Sequence, residues 1–220
     1  KTRAILPVDY AGHPADLDAL MAMAAARGLI VIEDAAHALG ATYHGRPVGQ
    51  IAHMTVFSLH PVKHLTTGEG GVVTTNDADV ARRLRSFRSH GIDSDARTRH
   101  EQGQWFYEMT ALGFNYRLTD IACALGLSQL PRLSANLAAR RAIAARYAVE
   151  LADVPALRLP ESAPDVEPAW HLYPVRVQPP LDRGRADRCV AGHGVASVVL
   201  ARVVDRVLRD LDGQVLTGHD

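Results

Sequence analysis

The stretch Phe57 to Gly71, FSLHPVKHLTTGEGG, sets one lysine, Lys63, between two histidines, His60 and His64, ahead of a threonine pair and a Gly-Glu-Gly-Gly run. A lysine that is to form a Schiff base must lose its proton near neutral pH, which takes desolvation or a neighbouring cation. Flanking imidazoles, small hydroxyls and tight glycines suit a loop that closes around a cofactor. The competing reading is the ordinary one, a solvated surface charge. His60 and His64 have the four-residue spacing of a zinc pair, but Pro61 would interrupt a helix there and no Glu follows His60, which argues against a metal. The glycines have the wrong spacing for a dinucleotide fingerprint and precede a strand instead of a helix.

Four further positions carry usable chemistry. Asp34 closes an apolar run, where open α/β sheets place ligand-binding groups, or where an Asp simply caps the next turn. His37 follows three residues on; taken alone it is a packed or solvent-facing histidine. Ser58, five residues before Lys63, is placed to donate to a phosphate or to satisfy a turn. Asn115, with Arg117 in GFNYRLTD, precedes a helix N-terminus, where oriented amides favour anions, and also serves as an ordinary turn residue.

The elements that must position these residues alternate. RAILPV reads as a short strand ending at Val8. DLDALMAMAAARG has apolar residues at helical spacing, with Asp16 to cap it and Gly28 to stop it. LIVIED reads as a parallel strand buried on both faces. Strand, helix and strand in about 30 residues make a βαβ unit, so the class is α/β. Met54–Leu59 and Gly71–Thr75 add two short strands, and a helix capped by Asn76 or Asp77 runs to about Gly91. Residues 92–117 are polar and irregular. Thr119 opens a long helical stretch that Pro131 kinks or splits. Pro-rich residues 155–168 read as a linker, and AWHLYPVRV as a strand entering a second, smaller domain.

Composition narrows the class. Of 220 residues, 24 are Lys or Arg and 24 are Asp or Glu, so no net charge argues for nucleic acid or an anionic membrane. Cys123 and Cys189 fit no metal spacing and suggest a reduced, intracellular setting. No run approaches the roughly 20 apolar residues of a membrane span. The opening KTRAILPVDYAG has no signal-peptide pattern and enters an apolar run directly, as the middle of a domain would.

In order, VIEDAAHALGATYHGRPVGQIAHMTVFSLHPVKHLTTGEGGVVTTND, RSHGI and GFNYRLTDIACALGLSQL resemble the pyridoxal-phosphate sugar aminotransferases of the DegT–DnrJ group, fold type I. The resemblance is dense over about residues 5–150, and WHLYPVRV extends it to about 177. His37 and the HPVKH loop look most like the branch of pseudaminic acid biosynthesis, which aminates C4 of a UDP-linked 4-keto-6-deoxy-N-acetyl sugar with L-glutamate. The resemblance implies pyridoxal 5′-phosphate as cofactor and a cytoplasmic homodimer with shared sites. By position it implies Lys63 as the lysine that holds the cofactor and moves the proton, and Asp34 as partner of the pyridine nitrogen. His37 would lie against the ring or its 3-oxygen, Ser58 would contact the phosphate, and Asn115 would reach the phosphate of the neighbouring subunit.

It also implies a division into residues 1–153, the C-terminal part of the cofactor-binding large domain with a mostly parallel sheet, and 154–220, a linker and the start of a small α/β domain. Lys1 falls inside the family's large domain, after the segment that supplies most of the phosphate cup, and Pro179 to Asp220 shows no family pattern. The alternative is therefore a catalytically inactive fragment or relative that retains dimerisation or weak ligand binding.

Overall fold

A computed structural model describes residues 1–178, apart from Asp93, Asp95 and Gln104; the expectations for residues 179–220 fall outside the described residues. Strand β1 spans Ala4–Ile5 and helix α1 spans Leu17–Arg27. Asp16 accepts a hydrogen bond from the Ala19 amide at 3.2 Å, and Gly28 closes the helix in the left-handed conformation at φ 62°. The start and stop signals read from the sequence are therefore the ones the helix uses. Strand β1 is shorter than expected; after Ile5 the chain returns only for an isolated parallel bridge between Val8 and Asp34.

Strand β2, Ile30–Asp34, pairs in parallel with β1 and with β5, Met54–Ser58. Between them lie the short strands β3, Thr42–Tyr43, and β4, Arg46–Pro47. Strand β6, Gly71–Thr74, pairs antiparallel with β5, which gives the order β1-β2-β5-β6. The class is α/β with a mostly parallel sheet, as the alternation of elements implies. One detail differs: β2 is not buried on both faces. Val31 and Glu33 are fully buried, but Ile30 is 44% exposed and Asp34 is exposed. A continuous apolar run reports hydrophobicity without saying which face a neighbour covers. Here α1 covers the Val31 face through Ala24 and Met21.

Helix α2, Ala78–Arg88, is capped by Asp77, whose carboxylate accepts from the amides of Asp79 and Val80. Asn76, the other candidate cap, donates instead to the Gln50 carbonyl. The irregular segment after it contains a short helix, α3, Ala96–Glu101, and folds back through bridges Ile92–Met109 and Ser89–Asn115. Thr119 caps α4, Asp120–Gln129, and Pro131 sits in the 3-10 turn Leu130–Arg132 that separates it from α5, Leu133–Glu150. Splitting there follows from the amide that proline lacks.

Residues 155–168 are more than a linker. They contain β7, Leu157–Arg158, and β8, Val166–Glu167, and β8 pairs antiparallel with β3. Strand β9, Arg176–Val177, pairs with β7. The main core joins Ala35, Ala38 and Phe57 from the sheet region to Leu137 of α5 and Ala169 of the C-terminal segment. Among the described residues no helix is long and apolar enough to cross a membrane.

Candidate active site

In a parallel sheet all the strands end on one side, so the carboxyl ends of β2 and β5 deliver Asp34 and Ser58 to a common edge. Asp34 pairs in register with Val56, two residues before Ser58. The antiparallel return of β6 then closes the lysine loop at its base: Ser58 pairs with Gly71, and the Leu59 amide donates to the Gly70 carbonyl at 2.9 Å. A second, tighter closure lies inside it, where the Thr67 amide donates to the Leu59 carbonyl at 3.0 Å. Gln129 of α4 pins the loop from outside: its Nε2 donates to the Thr66 carbonyl at 2.8 Å and its Oε1 accepts from the Thr66 amide at 3.3 Å. Lys63 sits partly buried within this ring, its amide donating to the His60 carbonyl at 3.0 Å.

The structure brings Lys63, Asp34 and His37 together. Burial holds the His37 imidazole below the usual histidine range; the Lys63 ammonium pushes it the same way, and the Asp34 carboxylate opposes both. His37 Nδ1 accepts a hydrogen bond from the Ala11 amide at 3.3 Å, so the ring proton of the neutral form lies on Nε2. The bland readings of two candidates also hold. Asp34 Oδ1 caps the following turn by accepting from the Ala36 amide at 3.1 Å, and Ser58 Oγ accepts from the His60 amide at 3.3 Å. Neither excludes a ligand, since Asp34 keeps a second oxygen and Ser58 keeps its hydroxyl proton. Asn115 stands apart: its backbone bridges Ser89 and its side chain is exposed.

Sequence spacing did not reveal the histidine stack. The rings of His37 and His171 lie 4.5 Å apart between centroids, and those of His171 and His64 lie 5.4 Å apart. His64 Nε2 donates to the Ala169 carbonyl at 3.0 Å. Burial pushes the His64 imidazole down to about 4 and the His171 imidazole down to about 3, and nearby positive groups reinforce both shifts. The stack is therefore neutral around pH 7. Its His171 member is held in place by Arg140, whose guanidinium donates to the carbonyls of Trp170 at 3.2 Å and His171 at 3.5 Å.

One tight turn joins these parts. In Tyr10–Gly12, Ala11 has φ 61° and Gly12 has φ 96°. The Ala11 amide serves His37, the Ala11 carbonyl accepts from the His171 amide at 2.9 Å, and the Gly12 carbonyl accepts from the Ala169 amide at 2.9 Å. A Cβ on Gly12 would lie 2.8 Å from the His37 carbonyl oxygen and 2.9 Å from the Trp170 nitrogen. Glycine is required there on both conformational and steric grounds.

An amine on a protected loop, a carboxylate at a strand end and a hydroxyl beside it are a donor set that would fit pyridoxal phosphate, with Lys63 able to take the aldehyde, Asp34 the ring nitrogen and Ser58 the phosphate. The model of the DegT/DnrJ/EryC1/StrS aminotransferase family matches residues 1–198, past the point where the sequence pattern faded. The spore coat polysaccharide biosynthesis protein SpsC of Bacillus subtilis is 40% identical over 178 residues, covering 80% of this chain and 46% of SpsC. Helicobacter pylori PseC, an aminotransferase involved in the biosynthesis of pseudoaminic acid, superposes with a TM-score of 0.79 at 29% identity, covering 98% of this chain and 58% of PseC. The sugar aminotransferase Spr1654 of Streptococcus pneumoniae in its PMP-form gives a TM-score of 0.79 at 30% identity, covering 97% of this chain and 60% of that one, and its PLP-form also matches. The chain spans about half the length of the curated relatives it matches. Fold, site geometry and family match agree, and the chain belongs to the DegT/DnrJ/EryC1/StrS aminotransferase family, whose cofactor is pyridoxal phosphate.

Proposed function

We propose that the Lys63 site serves transamination of a nucleotide-linked 4-keto-6-deoxy sugar, with L-glutamate as amino donor and a UDP sugar of pseudaminic acid biosynthesis as the specific case. The observation that carries this reading is the convergence of Lys63, Asp34 and His37 at the carboxyl ends of β2 and β5. When bound, pyridoxal phosphate supplies an aldehyde that captures amines and a ring that accepts electrons. Lys63 Nζ would hold the cofactor at rest and, once the donor amine has displaced it, would be the base that takes the proton from the donor's Cα. Asp34 would keep a proton on the ring nitrogen. His37, neutral and with its Nε2–H directed by the Ala11 bond, presents a donor without adding a charge. Ser58 Oγ donates to the phosphate, and the likeness to PseC supports the choice of sugar.

Two further parts belong to this reading. The chain divides near residue 153: 1–153 belongs to the cofactor-binding domain and 154–220 begins the smaller one. A second copy covers the face around Asn115, where Trp105, Phe106, Met109, Leu112, Tyr116 and Ile121 are exposed, and Asn115 reaches the phosphate of that copy's site in a cytoplasmic homodimer. The test is an absorbance titration with pyridoxal phosphate, then borohydride reduction and peptide mapping. One labelled peptide containing Lys63, lost in Lys63→Ala, is expected. Labelling that is absent or scattered over other lysines refutes the reading and leaves dimerisation or weak ligand binding.

A further inference from the structure

The sheet buries a pair of acids directly behind the site. Asp9 and Glu33 are each fully buried. Asp9 Oδ1 accepts from the Ala15 amide at 3.0 Å, and Glu33 Oε2 accepts from the Thr55 hydroxyl at 2.6 Å. Their remaining oxygens, Asp9 Oδ2 and Glu33 Oε1, are buried and reached by no N–H or O–H of the described residues. The parallel bridge between Val8 and Asp34 and the bond from the Asp9 amide to the Asp34 carbonyl set the two carboxyls beside each other. Ionised carboxyls only accept, so a bond between two of them requires a proton. Two bare carboxylates side by side in the interior would also carry the full cost of desolvation and repulsion.

Of the groups facing Asp9, the acids act in this direction and the Ala15 amide opposes them. Glu33 and Asp34 approach from β2, the Thr55 hydroxyl from β5 by way of Glu33, and the Ala15 amide from the loop before α1. Asp9 also begins the turn described above. Its amide donates to the Asp34 carbonyl at 2.9 Å, and its carbonyl accepts from the Gly12 amide at 3.1 Å. Whatever holds Asp9 therefore holds Ala11, and Ala11 holds His37.

We propose that Asp9 and Glu33 share one proton, and that this bridged pair is the positioning device that seats the Tyr10–Gly12 turn and, through it, His37. The bridge stands without reference to the reaction; its value to catalysis rests on the transamination reading. Burial, then the neighbouring Glu33 and Asp34 charges, pushes the Asp9 carboxyl up to about 8 against the Ala15 bond, which favours the ionised form. The folded chain thus keeps a proton that an unfolded Asp9, at its ordinary 3.8, has already lost. Stability from this group falls as pH rises from about 4 to about 8 and is level above that.

The experiment compares the full chain with Asp9→Asn, without cofactor. The amide keeps Oδ1 for Ala15 and donates from Nδ2 to Glu33, so the bridge survives but no longer titrates. Denaturant titrations from pH 6.5 to 9 give the ratio of folding constants, wild type over variant; histidine contributions cancel in it. The ratio is expected to fall by close to tenfold per pH unit up to about 8 and then stay constant. A ratio independent of pH overturns the shared proton. In parallel, the nitrogen NMR shift of His37 Nδ1 is followed from pH 7 to 9. It is expected to move with the same midpoint in the wild type and to stay fixed in Asp9→Asn. A wild-type signal that does not respond overturns the positioning role. Neither readout involves pyridoxal phosphate, so failure here is distinct from failure of labelling at Lys63.

Discussion

Replacing Gly12 by alanine tests how tightly the turn binds the site to the C-terminal segment. The new Cβ would meet the His37 carbonyl oxygen at 2.8 Å, the Trp170 nitrogen at 2.9 Å and the His171 nitrogen at 3.1 Å. All three are backbone atoms on two different segments, so no side-chain rotation relieves the overlap. At φ 96° an L-residue is also strained, at roughly 1–3 kcal/mol. If the segments part to make room, the bonds from Ala169 to the Gly12 carbonyl and from His171 to the Ala11 carbonyl are lost, at about 1 kcal/mol each. The expected total is about 4 kcal/mol, the sum of these two contributions. Gly28→Ala is the control: φ is 62° and nothing lies within 4 Å of its Cβ, so only the conformational cost of about 1 kcal/mol remains. Urea denaturation of both variants, followed by far-ultraviolet circular dichroism, measures the difference. A Gly12→Ala chain no less stable than Gly28→Ala would refute the close approach.

Two other outcomes follow from the same geometry. His64 and His171 are neutral when folded but bind protons when unfolded at pH below 6.5, so they make stability rise with pH between about 4 and 6.5. His64→Gln, which keeps a donor for the Ala169 carbonyl, should flatten that limb relative to wild type in melting curves from pH 4.5 to 7.5; parallel curves would contradict the assignment. Because Asp9 acts with the opposite sign in this range, the difference between the two proteins is the quantity to read. Gln129→Ala removes both bonds that pin Thr66, and should cost about 1–2 kcal/mol with faster amide exchange confined to residues 60–68; uniform exchange changes would count against a local clamp.

What could be read directly from the sequence was local. Asp16 and Gly28, Thr119 and Pro131 act within a turn of their own positions, so residue type was enough to place them, whereas the choice of Asp77 over Asn76 needed the structure. The placement of Asp34 and Ser58 at strand ends, and of Lys63 in the loop that follows, was legible because a strand end and the loop after it are neighbours in sequence. The burial of β2 was not, since LIVIED looks the same whichever face is covered, and the side chain that ends fully buried is the acid Glu33. The histidine stack was also out of reach. His64 meets the segment of His171 across 105 residues, and the turn that sets both it and His37 contains no residue whose type announces the role. The short strands within Pro-rich residues 155–168 were out of reach for a similar reason: β8 pairs with β3, from a distant part of the chain.

The double closure of the lysine loop separates its chemistry from its architecture. Leu59 and Thr67 are tied through the backbone, and outside them Ser58 and Gly71 are tied again. Backbone bonds do not depend on which side chains ride between them. Residue 63 can therefore be exchanged without disturbing the frame, whereas inserting or deleting one residue would shift Lys63 along the ring and turn its side chain away from His37. The loop behaves as a socket with a fixed thread: a lineage can change what is mounted in it by a single substitution, and it is the length of residues 60–66 that selection must hold constant.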